Sequence, residues 1–259
     1  MDTKTLKSII IGIMMILMSP FSHAQGGMEK IGAGSYLPLY GSEPTQVFVE
    51  AFFLDVYPVT NQEFLSFVKA NPAWRKSNIL GLFADGNYLN AWPNDTSLAA
   101  EMDPNAPVTN VSWFAAKEYC ECQGKRLPTM DEWEYAAMAS ETQSNAQADS
   151  LFNSRIISGF ETPRTYTDAV GSTYRNYWGI YDMHGLVWEW TFDFSSVLIS
   201  GESRKDGETD RSLFCAAGAV SATNLMDYAA FMRYAFRGSI KANYSIQNLG
   251  FRCAKTSSK

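Results

Sequence analysis

Two carboxylates, Asp182 and Glu189, bracket Gly185 in the run Gly179-Ile-Tyr-Asp-Met-His-Gly-Leu-Val-Trp-Glu-Trp190. Seven positions apart with a glycine between, they can close a loop around a hard cation. Main-chain carbonyls would add further oxygen ligands, and calcium suits that donor set. The same spacing also fits a plainer arrangement, in which one carboxylate caps a turn and the other pairs with an arginine. Four cysteines, Cys120, Cys122, Cys215 and Cys253, form the second chemical resource. In an oxidising compartment an even set reads as disulfides, with three pairings open. Cys120 and Cys122 lie two apart on a predicted helix and point in different directions, so each looks to Cys215 or Cys253, or stays reduced. A soft-metal Cys-x-Cys site is the sharper alternative, and it lacks a neighbouring histidine. Only two histidines occur, His23 and His184, which removes most histidine-based metal sites, proton relays and triads. There is no Gly-x-Ser-x-Gly elbow and no phosphate-cradling Gly-Lys-Ser/Thr loop. Gly32-Ala-Gly34 lacks a third glycine and a following helix, and reads as a hairpin turn.

These groups need elements to hold them. Ser112 to Gly124 predicts a helix, with a serine N-cap, Trp113, Ala116 and Cys120 along one face, and glycine at the stop. Thr60-Asn-Gln-Glu63 and Thr129-Met-Asp-Glu132 are capping boxes. The first opens an apolar stripe of Phe64, Phe67 and Val68, the second one of Trp133, Ala136 and Ala137. Elsewhere Gly, Pro, Asn, Ser and aromatic residues dominate. Short β-like pieces stand at Thr45 to Leu54 and Leu249 to Ala254, without α/β alternation. The fold class predicted is therefore an irregular α+β domain with long loops. The polar run from Ser140 to Ser150 predicts an exposed, mobile excursion.

The chain has 259 residues, 46% hydrophobic and 19% charged, with a net charge of −6. That balance excludes disordered and fibrous classes, and the absence of basic runs argues against nucleic acid or an anionic membrane surface as a partner. Lys4 and Lys7 precede an apolar run from Ile9 to Met18, and Ser22-His23-Ala24 offers small residues at the cleavage positions. Residues 1–24 thus read as a secretory signal peptide, since the apolar run falls short of the roughly 20 residues of a membrane span. The expectation is a single domain over 25–259, periplasmic or secreted, with no membrane span after cleavage.

Several blocks together resemble the formylglycine-generating enzyme, or sulfatase-modifying factor, family: Pro58-Val-Thr-Asn61, Pro107-Val-Thr-Asn-Val-Ser-Trp113, Gly124-Lys-Arg-Leu-Pro-Thr129 with Glu132-Trp-Glu-Tyr-Ala136, Trp188-Glu-Trp190, and Asn248-Leu-Gly-Phe-Arg-Cys253. They stand in the family's order and cover roughly Met28 to Lys255. The resemblance implies one C-type-lectin-like domain, poor in regular secondary structure. It implies structural calcium held by the Asp182 and Glu189 side chains with the Gly185 and Val187 carbonyls. It further implies a Cys120–Cys253 disulfide, leaving Cys122 and Cys215 as a candidate second pair.

Oxidase chemistry in that family, as the resemblance implies it, uses a Cys-x4-Cys pair to bind copper(I) and activate oxygen, a task for soft thiolates. Counting back from Arg237 without a gap puts Asn224 and Ala229 at those two positions, and no cysteine occurs between Cys215 and Cys253. Copper is therefore not expected. Trp188 and Ser221 match residues beside the family's copper centre. The pocket floor expected here carries Asn224, Asp227, Tyr228, Arg233 and Tyr234, a polar set suited to binding or proton chemistry. The favoured reading is an exported accessory or maturation factor that recognises a periplasmic protein or peptide. The tract from Asn71 to Asn94 is similar to family members found beside respiratory copper nitrite reductases. An oxidative or other modifying enzyme using the remodelled pocket, and a lectin-like binding module, are the alternatives.

Overall fold

The computed structural model describes residues 27–38, 46–195 and 225–257, with the side chains of the last stretch described from Tyr228. The expected leader at 1–24 lies outside the described residues, as do Cys215, Ser221, Asn224 and the side chain of Asp227.

Capping decides where the first three helices begin. Thr60 Oγ1 accepts from the Glu63 amide at 3.2 Å, and Glu63 Oε2 accepts from the Thr60 amide at 2.8 Å, so α1 (Asn61–Ala70) opens with its first donors satisfied. α2 (Trp113–Cys122) starts at the Ser112 hydroxyl, which accepts from the Ala115 amide. α3 (Met130–Ala137) repeats the capping box with Thr129 and Glu132. The α1 stripe meets α2 directly: Phe64 stacks on Tyr119 at 5.8 Å, and both meet the edge or face of Phe251, at 6.0 and 5.3 Å. This aromatic core also takes in Trp190, Val108 and Leu249. Two further helices, α4 (Ser150–Glu161) and α5 (Leu225–Ser239), pack against each other and close one side of the domain. No described helix is long and apolar enough to cross a membrane.

Three small sheets complete the frame. In the largest, β4 (Phe52–Asp55) runs antiparallel between β1 (Met28–Ile31) and β7 (Ala254–Thr256), pairing Ile31 with Phe52 and Leu54 with Ala254. β2 (Gly34–Tyr36) and β3 (Val47–Val49) form a second antiparallel pair, and β5 (Trp188–Glu189) lies parallel to β6 (Leu249–Gly250). The disulfide Cys120–Cys253 ties α2 to the residue preceding β7. Cys122, two residues on, is a free and exposed thiol, and Cys215, its expected partner, lies outside the described residues. Burial and the neighbouring Glu118 carboxylate push that thiol's pKa up, which keeps it protonated and slow to react.

Two expectations about local structure are corrected. Gly32 to Gly34 is not a hairpin turn: β1 pairs with β4 and β2 with β3, so the chain steps between sheets there. Gly34 leaves room for the Tyr135 hydroxyl, which a Cβ there would displace. The run from Ser140 to Ser150 is anchored at several points. Ala146 is 2% exposed and its amide donates to Met138 O, while the Ser140 amide donates to Gln143 O. The stretch 141–145 projects into solvent, and Ala148 and Ser150 are exposed as well.

Candidate functional site

A cleft of about 80 Å³ opens between α3, α4, α5 and the loop that leads into β5. Space of that size holds several waters or one side chain. Its apolar wall is a stack: Trp188 lies against Phe160 of α4 at 5.1 Å and 16°, and against Phe236 of α5 at 4.6 Å and 24°. α4 approaches the loop so closely at Gly159 that a Cβ there would sit 3.3 Å from the Gly185 Cα. Trp188, expected beside the pocket, thus lines it with its ring already engaged by two phenylalanines.

The polar wall presents Arg233 and Arg237, which meet the buried Glu134 behind it. Glu134 of α3 accepts from Arg233 Nε at 3.0 Å and Nη2 at 2.7 Å, and from Arg237 Nη1 at 2.5 Å. The two arginines are four apart on α5 and therefore share a face. Burial alone would raise the Glu134 pKa, but the two guanidinium groups outweigh it and hold the carboxyl at about 2. His184 is pushed down to about 3, first by burial and then by the positive charge of Arg233. It is therefore a neutral imidazole that donates from Nε2 to Ala137 O at 2.9 Å.

The signs give a testable pH dependence. Glu134 is depressed from 4.5 to about 2 on folding, so its contribution is complete above pH 4.5 and disappears as pH falls toward 2. That amounts to roughly 3 kcal/mol. His184, at 6.5 when unfolded and about 3 when folded, acts in the same direction from pH 6.5 downward, because only the unfolded chain takes up its proton. Urea midpoints measured from pH 7 to pH 3 are expected to fall steadily. Glu134→Gln is expected to lower the midpoint at pH 7 and to remove the steeper part of the decline below pH 4.5.

The two carboxylates expected to hold calcium have other partners. Asp182, in the left-handed region at φ 59°, accepts from the amides of Gly171 and Thr173 and from the Thr173 hydroxyl. Glu189 accepts from Arg252 Nε and Nη2 at 2.8 and 2.7 Å, and from Trp133 Nε1 at 2.8 Å. One carboxylate caps a turn and the other pairs with an arginine, the plainer of the two arrangements the spacing allowed. Each carboxylate is thus turned toward donors of this chain, and a cation there would compete with them for lone pairs. Among the described residues no group of three or more acidic, histidine or cysteine side chains could hold a metal ion. As placed, Asp182 and Glu189 are bonded within the chain rather than arranged with the Gly185 and Val187 carbonyls around calcium.

Of the expected pocket floor, Arg233 lines the cleft, locked onto Glu134. Tyr234 is buried and Tyr228 half-buried on α5, neither of them in the cleft wall. Sequence reasoning missed Phe160, Phe236 and Arg237 as wall residues, and Glu134 as the acid that holds the two arginines from behind. The signal for part of this was present: Arg233 and Arg237, one turn apart in an otherwise apolar helix, require a buried acid opposite.

The small sheets, the capped helices and the cleft under Trp188 define a formylglycine-generating-enzyme-like domain of irregular α+β architecture. Residues 21–257 match the Sulfatase-modifying factor enzyme 1-like domain, and the chain belongs to that family. It is 26% identical over 274 residues to the inactive C-alpha-formylglycine-generating enzyme 2 of Mus musculus, covering 92% of this chain and 86% of that protein. It is 30% identical over 262 residues to the formylglycine-generating enzyme of Streptomyces coelicolor, covering 85% and 83%. A match to the serine/threonine-protein kinase pkn1 of Chlamydia caviae, 27% identical over 219 residues, covers 81% of this chain but only 34% of that longer protein. Among solved structures, PvdO from Pseudomonas aeruginosa superposes with a TM-score of 0.51 at 19% identity, covering 89% of this chain and 94% of that one.

Proposed function

We propose that this protein is an exported accessory or maturation factor that recognises a periplasmic polypeptide, with a respiratory copper enzyme as the class of partner, and that it is not a copper-dependent formylglycine oxidase. The observation that carries the reading is Ala229. It stands where the family's second copper thiolate would be, 1% exposed in α5 and packed with Phe152 and Ile156 of α4. A methyl group offers copper no ligand, and no cysteine in the 37 residues between Cys215 and Cys253 can replace it. A relative bearing the name inactive, matched over nearly its whole length, supports a role without that oxidation. The tract from Asn71 to Asn94 supports a polypeptide partner. It is fixed by Lys76 Nζ, which donates to Leu89 O and Trp92 O, and it presents Leu80 and Leu82 at 64% and 73% exposure. Apolar side chains displayed on an ordered tract suit coverage by another chain.

The test incubates copper-loaded protein with a cysteine-containing sulfatase peptide under air and follows product mass. No aldehyde beyond the copper-only control is expected, together with copper(I) affinity orders of magnitude below that of a thiolate pair. Multiple-turnover formation of formylglycine would overturn the reading. A stoichiometric complex with a copper enzyme from the same periplasm, isolated at defined composition, is the expected positive result.

A further inference from the structure

Resting on the reading that this protein recognises a partner polypeptide, we propose that the cleft takes a carboxylate of that partner, bound by the free edge of Arg237. Arg237 lines the cleft and is 4% exposed, so its charge is removed from bulk water. Its Nη1 donates to Glu134, and among the described residues the guanidinium makes no other hydrogen bond. Nε and Nη2, the two donors along one edge, thus have no partner among the described residues, in a side chain that lines the cleft. Arg233 differs: it directs Nε and Nη2 to Glu134 and Nη1 to Ala229 O, and is satisfied within the fold.

Charge leads to the same place. Three guanidinium groups, of Arg233, Arg237 and Arg252, stand in or directly behind the cleft wall against two carboxylates, of Glu134 and Glu189. Glu189 belongs to Arg252, so Arg233 and Arg237 share a single negative charge. Asp193 lies within electrostatic reach of Arg237, but its Oδ1 accepts from the Met130 amide and it forms no ion pair among the described residues. The Trp133 ring, 4.9 Å from the Arg237 guanidinium carbon, gives partial compensation and fixes the plane of the fork. A buried, partly unpaired guanidinium is costly, and two parallel N–H groups match the two oxygens of a carboxylate. One carboxylate cancels the surplus of one charge, whereas a dianionic phosphate overshoots it.

A carboxylate on a polypeptide is either an Asp or Glu side chain or the C-terminus, and the test separates them. The probes are N-acetyl-glutamate amide, N-acetyl-alanine with a free carboxylate, and neutral N-acetyl-glutamine amide. Each is titrated into the purified protein at constant ionic strength and followed by NMR. At least one acid is expected to bind ten-fold or more tightly than the neutral amide, and which acid does so identifies the source. Arg237→Gln is expected to abolish the difference. Thr162→Asp, at the exposed rim of the cleft and away from the buried ion pairs, is expected to weaken acid binding several-fold and leave the neutral probe unchanged. Equal binding of acids and amide overturns the proposal, as does a preference that survives Thr162→Asp or tighter binding of inorganic phosphate. Such a result with formylglycine formation still absent overturns the carboxylate alone, since the accessory-factor reading fails through turnover.

Discussion

Arg252→Ala is expected to lose roughly 3–5 kcal/mol of stability, the range measured when one partner of a buried ion pair is removed. Arg252 is fully buried, and so is the Glu189 side chain it clamps with Nε and Nη2. The same guanidinium donates to Asp55 O, Val56 O and Tyr181 O, so it joins the end of β4 to the loop entering β5. Truncation leaves the Glu189 charge buried with only the Trp133 indole as a donor, and takes a donor from three carbonyls, of which Val56 O keeps the Tyr181 amide. Urea unfolding checks the magnitude. The double variant Glu189→Met with Arg252→Met is expected to be less destabilised than Arg252→Ala, because removing both charges leaves no uncompensated ion. Because Arg252 neutralises Glu189, melting in excess chelator is expected to match melting in added calcium. A fall of several degrees with chelator alone would show that a cation, rather than the guanidinium, holds that loop.

The second large effect belongs to the Cys120–Cys253 bridge. Its ends are 133 residues apart, and loop-closure entropy for a ring of that size puts its contribution near 5 kcal/mol in the chain-entropy account. The variant with both cysteines changed to alanine is expected to shift the urea midpoint by at least 1 M, given a slope of about 2–3 kcal/mol per molar for a chain of this length. Adding reductant to the unmodified protein is expected to reproduce that shift, whereas Cys122→Ser is expected to leave it unchanged. A midpoint insensitive to reductant would mean that the two thiols are not joined in solution.

What could be read from the amino acids depended on how local the physics was. The starts of α1, α2 and α3 were legible because a cap is a contract among four consecutive residues, and Thr60, Ser112 and Thr129 each form the bonds their spacing foretold. α4 was not legible. Its run of Ser, Asn and Gly has weak helix propensity, and burial of Phe152 and Ile156 against α5 overrides it. The glycines at 32 and 34 were misread because strand partners are chosen at long range, by β3 and β4, and not by the turn between neighbours. In the site, Trp188 and Arg233 were found through family resemblance. Glu134 was not, since the acid that meets Arg233 lies 99 positions away. Asp182 and Glu189 show the converse: two acids and a glycine at ligand spacing fit a cation equally well until Arg252 is placed between the alternatives.

The sheet order β1-β4-β7 also governs how this protein can be made. Its central strand, β4, pairs on one side with the earliest described strand and on the other with the last. Cys253 and Arg252 arrive immediately before that strand, so neither the bridge to Cys120 nor the clamp on Glu189 can form before residue 253 has emerged. A polypeptide delivered from its N-terminus must therefore wait, with Phe52, Leu54 and the α1 stripe uncovered, until residues 252–256 are present. Such long-range closure is slow and exposes apolar surface. Under oxidising conditions that interval leaves Cys122, two residues from Cys120, open to the same distant thiol.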